Sequence, residues 1–458
     1  VENQKPKDLQ LIAGCMPMIH RDPMGSDLIN RVLDGHYGII HDLHASTIIP
    51  NGPEIFVYGA KTANSSAYFL VKCNEDNSGA GITQHDAISA AVGEVIERYC
   101  SAGWDPSELI YGTYNDLNKE FNLISPNDFH YFDKSQKEAL SEFAPFTKNT
   151  YLAWIPSYSL IRKTQVLVPA SVVFLPFKAL FKQQGEQIIA PSYSTGLSCG
   201  ASRPEALYHC LCECVERDAF MNLWNNRLSI PHVNIKSDPE IKDLFERYFE
   251  RENLEYIIVN STTDIKLTAI NCFLVDYAYS PPLIAVSGSA SLSAKDAIIK
   301  AILEAAHTYY WACTLRQDTR DYQEDFSDVL DFQDHIRLHA SGKFFRAFDF
   351  ILKKSVSCQV GELCNYQVSS YKEALWKTVA ILNDAGQESY AVDLTTPDIE
   401  DLGLAVTRTF VPGLIQLNSG HHRRQLGIKR LFTLPCNLGY TAKETTIADI
   451  NPLPHPYP

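Results

Sequence analysis

Glu94-Val-Ile-Glu97-Arg98 and Glu213-Cys-Val-Glu216-Arg217 each place two carboxylates three residues apart with an arginine directly after, inside runs that are otherwise nearly all apolar. On a helix, positions i and i+3 share a face, so each pair points two carboxylates the same way. The neighbours are Ala90, Ala91, Val92, Val95 and Ile96 in one copy, and Leu211, Cys212, Cys214 and Val215 in the other. A helix apolar on nearly every side belongs in an interior. Carboxylates there are costly unless cations or metals pair with them. Arg98 and Arg217 neutralise only part of four negative charges, and Mg2+ is the natural remainder, because it takes oxygen ligands and joins a few carboxylates to nucleotide phosphates. The residue types therefore point to a Mg2+-nucleotide site where the two helices converge. One copy alone would read as an ordinary intrahelical ion pair on a solvated face; a repeat in apolar surroundings does not.

The elements that must carry these pairs are marked by a threefold regularity. Thr83-x-x-Asp86-Ala87, Ser202-x-x-Glu205-Ala206 and Ser293-x-x-Asp296-Ala297 have the capping-box pattern, in which the hydroxyl satisfies an orphan amide and the acid reaches back to the cap. Pro204 is tolerated in a first turn. Glu94, Glu213 and Glu304 each stand 11 residues after their cap, close to three turns of about 3.6 residues, so three helices share one design. Strand-like segments enriched in β-branched and aromatic residues occur at 54–60, 67–73, 166–175, 267–278 and 283–290. Helical segments follow three of these regions, which predicts a mixed α/β (α+β) architecture rather than a bundle. Charged stretches at about 114–150 and 317–342 read as insertions or surface helices, and no low-complexity linker separates domains.

Other residues carry weaker signals. Glu304-Ala-Ala-His307 puts a histidine where the other helices have their second glutamate. It reads either as a satisfied core histidine or as a phosphate or ribose contact; a di-iron bundle would need two such pairs and two further glutamates. Ser194-Thr-Gly196 is a small-residue turn whose hydroxyl and amides could reach a phosphate. There is no P-loop or Rossmann fingerprint. Cys210, Cys212 and Cys214 read as small core residues. The cluster HHRRQLGIKR (421–430) reads as a solvated face. The segment Pro452-Leu-Pro454-His-Pro456-Tyr-Pro458 has proline at every second position, a stiff extended segment. It is expected either to be an exposed terminus or to deliver a terminal carboxylate to a defined place.

The totals agree with a small-molecule or peptide partner. With 40 Lys+Arg against 54 Asp+Glu over 458 residues, the formal charge of −14 speaks against a broad basic surface for nucleic acid or acidic membrane. Twelve scattered cysteines without a CxxC pair read as reduced thiols of a cytoplasmic protein. Near the start, IAGC superficially resembles a lipoprotein cleavage site, but no apolar segment of about 7–15 residues precedes it. The apolar run 166–181 is broken by two prolines and a lysine, short of the ~20 residues a spanning helix needs. A soluble protein is expected.

These residues resemble the YcaO family, and within it the cyclodehydratase D proteins that form thiazoline and oxazoline rings in ribosomal peptides. The matching stretches are GAGITQHDAISAAVGEVIERY, YSTGLSCGASRPEALYHCLCECVERDA, AILEAAH, DLTTPDI (393–399), GLAVTRTFVPGL (403–414) and the PxPxP ending. The resemblance covers roughly residues 55–458, and it implies a YcaO-type catalytic domain over 51–430 between an N-terminal segment (1–50) and a C-terminal segment (431–458). It further implies that a Cys, Ser or Thr side chain of a precursor peptide attacks the preceding carbonyl, that ATP phosphorylates the resulting oxygen, and that phosphate leaves as the ring forms. Glu94, Glu97, Glu213 and Glu216 become Mg2+ ligands. Ser194, Arg98, Arg217, Glu304 and His307 stand around the nucleotide, and the terminal carboxylate of Pro458 becomes the base.

Three positions depart from the family pattern: Ala90 where a serine often stands four residues before the first glutamate, with Ser89 one place early; His307 where E-x-x-Q is frequent; and Tyr309 in place of a following arginine. No fused leader-binding or E1-like domain is visible. A separate C-type (E1-like) partner is therefore expected, with a flavin-dependent dehydrogenase and a homodimer within a complex as further possibilities, and no nucleic acid or membrane partner. The alternatives are a thioamide-forming YcaO enzyme, a non-catalytic assembly protein with a vestigial nucleotide site, and a di-iron oxidoreductase.

Overall fold

The computed structural model describes residues 26–458 apart from positions 129, 319, 354 and 355; the IAGC stretch and Cys15 lie outside the described residues. The architecture is mixed α/β, as the interleaved pattern predicts. An antiparallel three-stranded sheet runs Ile40–Ala45, Phe56–Thr62, Asp76–Gly81. A second sheet has the order Leu283–Ser291, Thr268–Asp276, Leu254–Asn260, His232–Asn234, Ser357–Gln359. A third has the order Ile110–Gly112, Leu152–Ser159, Tyr390–Asp393, Ala405–Phe410, Leu197–Gly200, with Thr164–Pro169 beside Leu152–Ser159.

Each sheet sends one strand directly into one of the three capped helices. The strands end at Gly81, Gly200 and Ser291, and each cap follows two residues later. We call Gln84–Ala102, Arg203–Asn226 and Ala294–Leu315 the first, second and third helices. Thr83, Ser202 and Ser293 accept from the amides of Asp86, Glu205 and Asp296, the cap bonds that the spacing predicts. The acids of the first two helices do not return to the cap amide: Asp86 accepts from the Thr83 hydroxyl at 2.7 Å, and Glu205 from the Ala201 amide at 3.0 Å.

The second helix is the axis of the molecule. It buries 17 of its 24 residues, so its apolar character on every side reflects packing against strands of two sheets. Cys210 and Cys214 face Thr407 and Thr409 on strand Ala405–Phe410, and all cysteines among the described residues are free thiols. No helix among the described residues is long and apolar enough to cross a membrane.

Three readings need correction. Residues 67–73 form no strand: they follow a short 3-10 turn at Ser65–Ala67, with Tyr68 and Leu70 exposed, so this aromatic run has no sheet to cover it. The stretch 317–342 is not purely superficial, because helix Phe332–Ala340 buries His335, Ile336, Leu338 and His339. The basic cluster 421–430 is not a solvated face: His421 and Gln425 are buried, and Arg430 ion-pairs internally with Asp218 at 2.8 Å and Asp264 at 2.5 Å.

Candidate nucleotide-binding active site

The three helices converge on a single cleft of about 1830 Å3. Its lining includes Glu94, Glu97, Arg98, Ser194, Glu213, Glu216, Arg217, Glu304, His307 and Pro458, so every site residue expected from the sequence faces one space. These residues come from positions 94 to 458, and the common strand-cap-helix geometry is what brings their helices into register.

The two glutamate motifs are bound in the same way. Glu94 accepts from the Ser78 amide at 3.1 Å and pairs with Arg98 at 3.3 Å. Glu213 accepts from the Gly196 amide at 2.8 Å and pairs with Arg217 at 3.4 Å. In both motifs a main-chain N–H from just ahead of the helix fixes one carboxylate oxygen while the helix's own arginine holds the other. Gly79 and Gly196 permit these approaches. A side chain at Gly79 would lie 2.2 Å from the Ala91 amide nitrogen, and Gly196 adopts φ +84° with the Thr409 carbonyl 2.4 Å from any added Cβ.

The second glutamate of each motif lies deeper. Glu97 contacts Arg98, and burial, opposed by Arg98 and reinforced by Glu213 and Glu94, pushes its pKa up to about 7. Glu216 is only 7% exposed; it pairs with the Arg217 Nε at 3.2 Å and accepts from the Tyr457 hydroxyl at 2.6 Å. Burial raises its pKa against the pull of Arg217 and Lys300. The third helix adds Glu304, whose pKa burial would raise but which His307, Lys300 and Arg217 bring below the usual carboxylate range. His307 bridges Glu304 at 3.5 Å and the Ser78 hydroxyl at 3.0 Å, joining the third helix to the strand before the first. Ser194 lies on the cleft wall, its carbonyl closing a turn onto the Leu197 amide at 3.0 Å.

Three further residues shape the site, and the sequence reading missed them. Lys300 opens onto the cleft; burial works against its charge, but Glu216, Glu304 and Glu213 hold it above the usual ammonium range. The three-helix register could have found it, since Ala90, His209 and Lys300 stand four residues before Glu94, Glu213 and Glu304 respectively and all line the cleft. Buried Arg408 donates to the carbonyls of Tyr193 at 2.7 Å and Val172 at 3.1 Å, and places positive charge behind Glu97 and Glu213. Tyr457 is carried in by the proline-rich segment, whose residues 454–457 are buried. The expectation of an exposed terminus is therefore not met, because the segment packs into the interior.

The donor set suits a metal-nucleotide pair. Around the helix motifs the five glutamates Glu94, Glu97, Glu213, Glu216 and Glu304 outnumber the cations Arg98, Arg217 and Lys300 that line the cleft with them, so a polyanionic triphosphate needs divalent ions with it to enter among the glutamates. Among the described residues no three His, Cys, Asp or Glu side chains already stand together as a metal cage. Mg2+ needs none, since it commonly binds through one or two carboxylates with phosphates and water completing its shell.

Residues 78–415, most of the chain and all three helices, match the family described as YcaO cyclodehydratase, ATP- and Mg2+-binding; the chain belongs to this family of ATP-dependent enzymes. An uncharacterised protein of Methanothermobacter thermautotrophicus is 25% identical over 344 residues, which cover 74% of this chain and 81% of that protein. A solved structure described as a heterocyclase in complex with substrate and cofactor superposes with a TM-score of 0.75 at 21% identity, covering 94% of this chain; the chain spans 57% of that protein. The YcaO protein of Methanopyrus kandleri, bound with AMPPCP and Mg2+, superposes with a TM-score of 0.57 at 18% identity over 85% of this chain and 88% of its own. Both structural likenesses concern the fold.

Proposed function

We propose that this protein catalyses ATP-dependent cyclodehydration of Cys, Ser or Thr residues in a ribosomally made precursor peptide, giving thiazolines or oxazolines. The observation that carries the reading is the convergence of both Glu-x-x-Glu-Arg motifs and Pro458 on one cleft. In the proposed reaction the substrate thiol or hydroxyl adds to the preceding backbone carbonyl, and its proton passes to the terminal carboxylate of Pro458. The oxyanion so formed takes the γ-phosphoryl group of ATP and releases ADP. The amide nitrogen then gives up its proton, the C=N bond forms, and phosphate departs. An amide oxygen is a poor leaving group, and phosphorylation makes it a good one.

The chain's own residues have distinct parts in this scheme. Glu94, Glu97, Glu213 and Glu216 would hold Mg2+, which when bound supplies charge neutralisation at the phosphates. Arg98, Arg217 and Lys300 place fixed positive charge where the transferred group gains negative charge. Arg217 also approaches the Pro458 main-chain oxygen at 3.4 Å, keeping that residue beside the glutamates. Ser194, Glu304 and His307 line the remaining wall around the nucleotide. Leader capture is assigned to a separate C-type partner, and oxidation of the azoline, where it occurs, to a flavin-dependent dehydrogenase.

The test is calorimetric binding of AMPPCP with Mg2+ to the wild type and to the Glu213→Gln/Glu216→Gln variant. Binding that disappears in the variant supports the reading, and mass spectrometry of a precursor peptide then reports one water lost per ring. Folded wild type that binds no nucleotide, even with its partner, overturns it.

A further inference from the structure

Proline has no N–H, so a segment with proline at every second residue cannot pair as an ordinary strand, and its carbonyls still need donors once buried. Here those donors are side chains. Arg424 donates to the Asn451 carbonyl at 3.2 Å, Trp224 to Leu453 at 3.2 Å, His339 Nε2 to Pro454 at 2.8 Å and His335 Nδ1 to His455 at 2.7 Å. His335 and His339 lie one turn apart on helix Phe332–Ala340 and therefore share a face. The His335 ring stacks on the His455 ring with centroids 3.9 Å apart, and His455 in turn donates to the Asn418 carbonyl at 2.8 Å. Two residues beyond this clamp, Tyr457 reaches Glu216 and Pro458 meets Arg217.

We propose that His335 and His339 are positioning residues: by donating to two consecutive tail carbonyls they fix the register of the segment, and so hold Tyr457 and Pro458 in the cleft. A carbonyl oxygen only accepts, so the facing ring nitrogen of each histidine carries the proton. Both rings are fully enclosed, His339 between Trp224 and Phe348. A neutral imidazole supplies a donor there without burying a charge, which lysine or arginine would. The clamp itself stands on this geometry; its bearing on catalysis rests on the function proposed above.

Hydrogen exchange read by mass spectrometry over residues 451–458 tests it in the full chain. His335→Ala and His339→Ala should speed exchange of the Leu453, His455 and Tyr457 amides at least tenfold. His335→Asn and His339→Gln, whose amide groups place an N–H near Nδ1 and Nε2 respectively, should retain most of the protection. Wild-type protection in the alanine variants overturns the clamp, and so do amide variants that exchange as fast as the alanine ones. Should the alanine variants unfold, seen as fast exchange throughout the second helix, rescue by the amide variants decides. Mg2+-AMPPCP calorimetry on the same proteins separates the two readings. A freed tail with unchanged nucleotide affinity leaves the clamp standing and counts against a role for Tyr457 in the nucleotide site.

Discussion

The hydroxyl of Tyr457 donates to Glu216 Oε1 at 2.6 Å, while the guanidinium of Arg217 lies 4.5 Å from the centre of the same ring. Tyr457 thus braces both charged members of the second motif. Tyr457→Phe removes only the hydroxyl and keeps the packing on Phe220, 4.4 Å between centroids. A hydrogen bond to a charged group contributes ~1.5–3 kcal/mol. We expect Mg2+-AMPPCP affinity to fall about tenfold or more with the fold intact. Calorimetry that finds wild-type affinity removes Tyr457 from the support of Glu216.

What was legible in the sequence was local and repeated. The caps at Thr83, Ser202 and Ser293 and the glutamates three turns later can be read from residue type and spacing, because helix geometry fixes both. What was not legible depends on distant partners. Arg408 reads as one polar residue in a strand, and only the fold shows the Tyr193 and Val172 carbonyls that hold it. The cluster at 421–430 looked solvated because Asp218 and Asp264, which neutralise Arg430, lie more than 160 positions away. The tail's stiffness was readable from its prolines, but its histidine partners on helix Phe332–Ala340 were not.

Gly196 tests how tightly the second motif is built. An alanine there would need a left-handed backbone and would place its Cβ 2.4 Å from the Thr409 carbonyl and 2.9 Å from the Cys214 sulfur. Left-handed strain alone costs ~1–2 kcal/mol. We expect Gly196→Ala to lose at least about 2 kcal/mol in urea denaturation. Nucleotide binding should weaken with it, because the amide that holds Glu213 moves. A variant within about 0.5 kcal/mol of wild type would show that the turn relaxes freely.

Lys300 offers a charge test that leaves the carboxylates in place. It faces Glu213, Glu216 and Glu304 without a direct ion pair to any of them among the described contacts, so its charge is shared over the cleft. In Lys300→Met the aliphatic stem survives and the charge is lost. We expect a three- to thirtyfold weaker binding of Mg2+-AMPPCP, the span of roughly 0.7–2 kcal/mol, and a shallower dependence of affinity on salt. Equal salt dependence in the two proteins would mean that the ammonium does not face the nucleotide.

The buried histidines make stability depend on pH in a definite direction. Burial pushes His335 down to about 4 and His339 down to about 3, and neither ring faces an acid except Asp334 beside His335, itself paired with Arg320 and Arg337. In the unfolded chain both return to about 6.5. Below that value the unfolded state takes up protons that the native state refuses, so stability is complete above pH 6.5 and is lost as the pH falls towards 4. Each histidine then contributes up to ~1.4 kcal/mol per pH unit. Glu97, raised to about 7, has the opposite sign, because the native state binds its proton first. The cleanest measurement is therefore a difference. Between pH 7.5 and 5.5, wild type should lose roughly 2–3 kcal/mol more than His335→Asn/His339→Gln, which carries neither titrating ring. Parallel stability curves for the two proteins would show that the two rings bind protons equally in the folded and unfolded states, and a wild type that gains stability relative to the variant as the pH falls would show that the rings are held protonated in the native clamp.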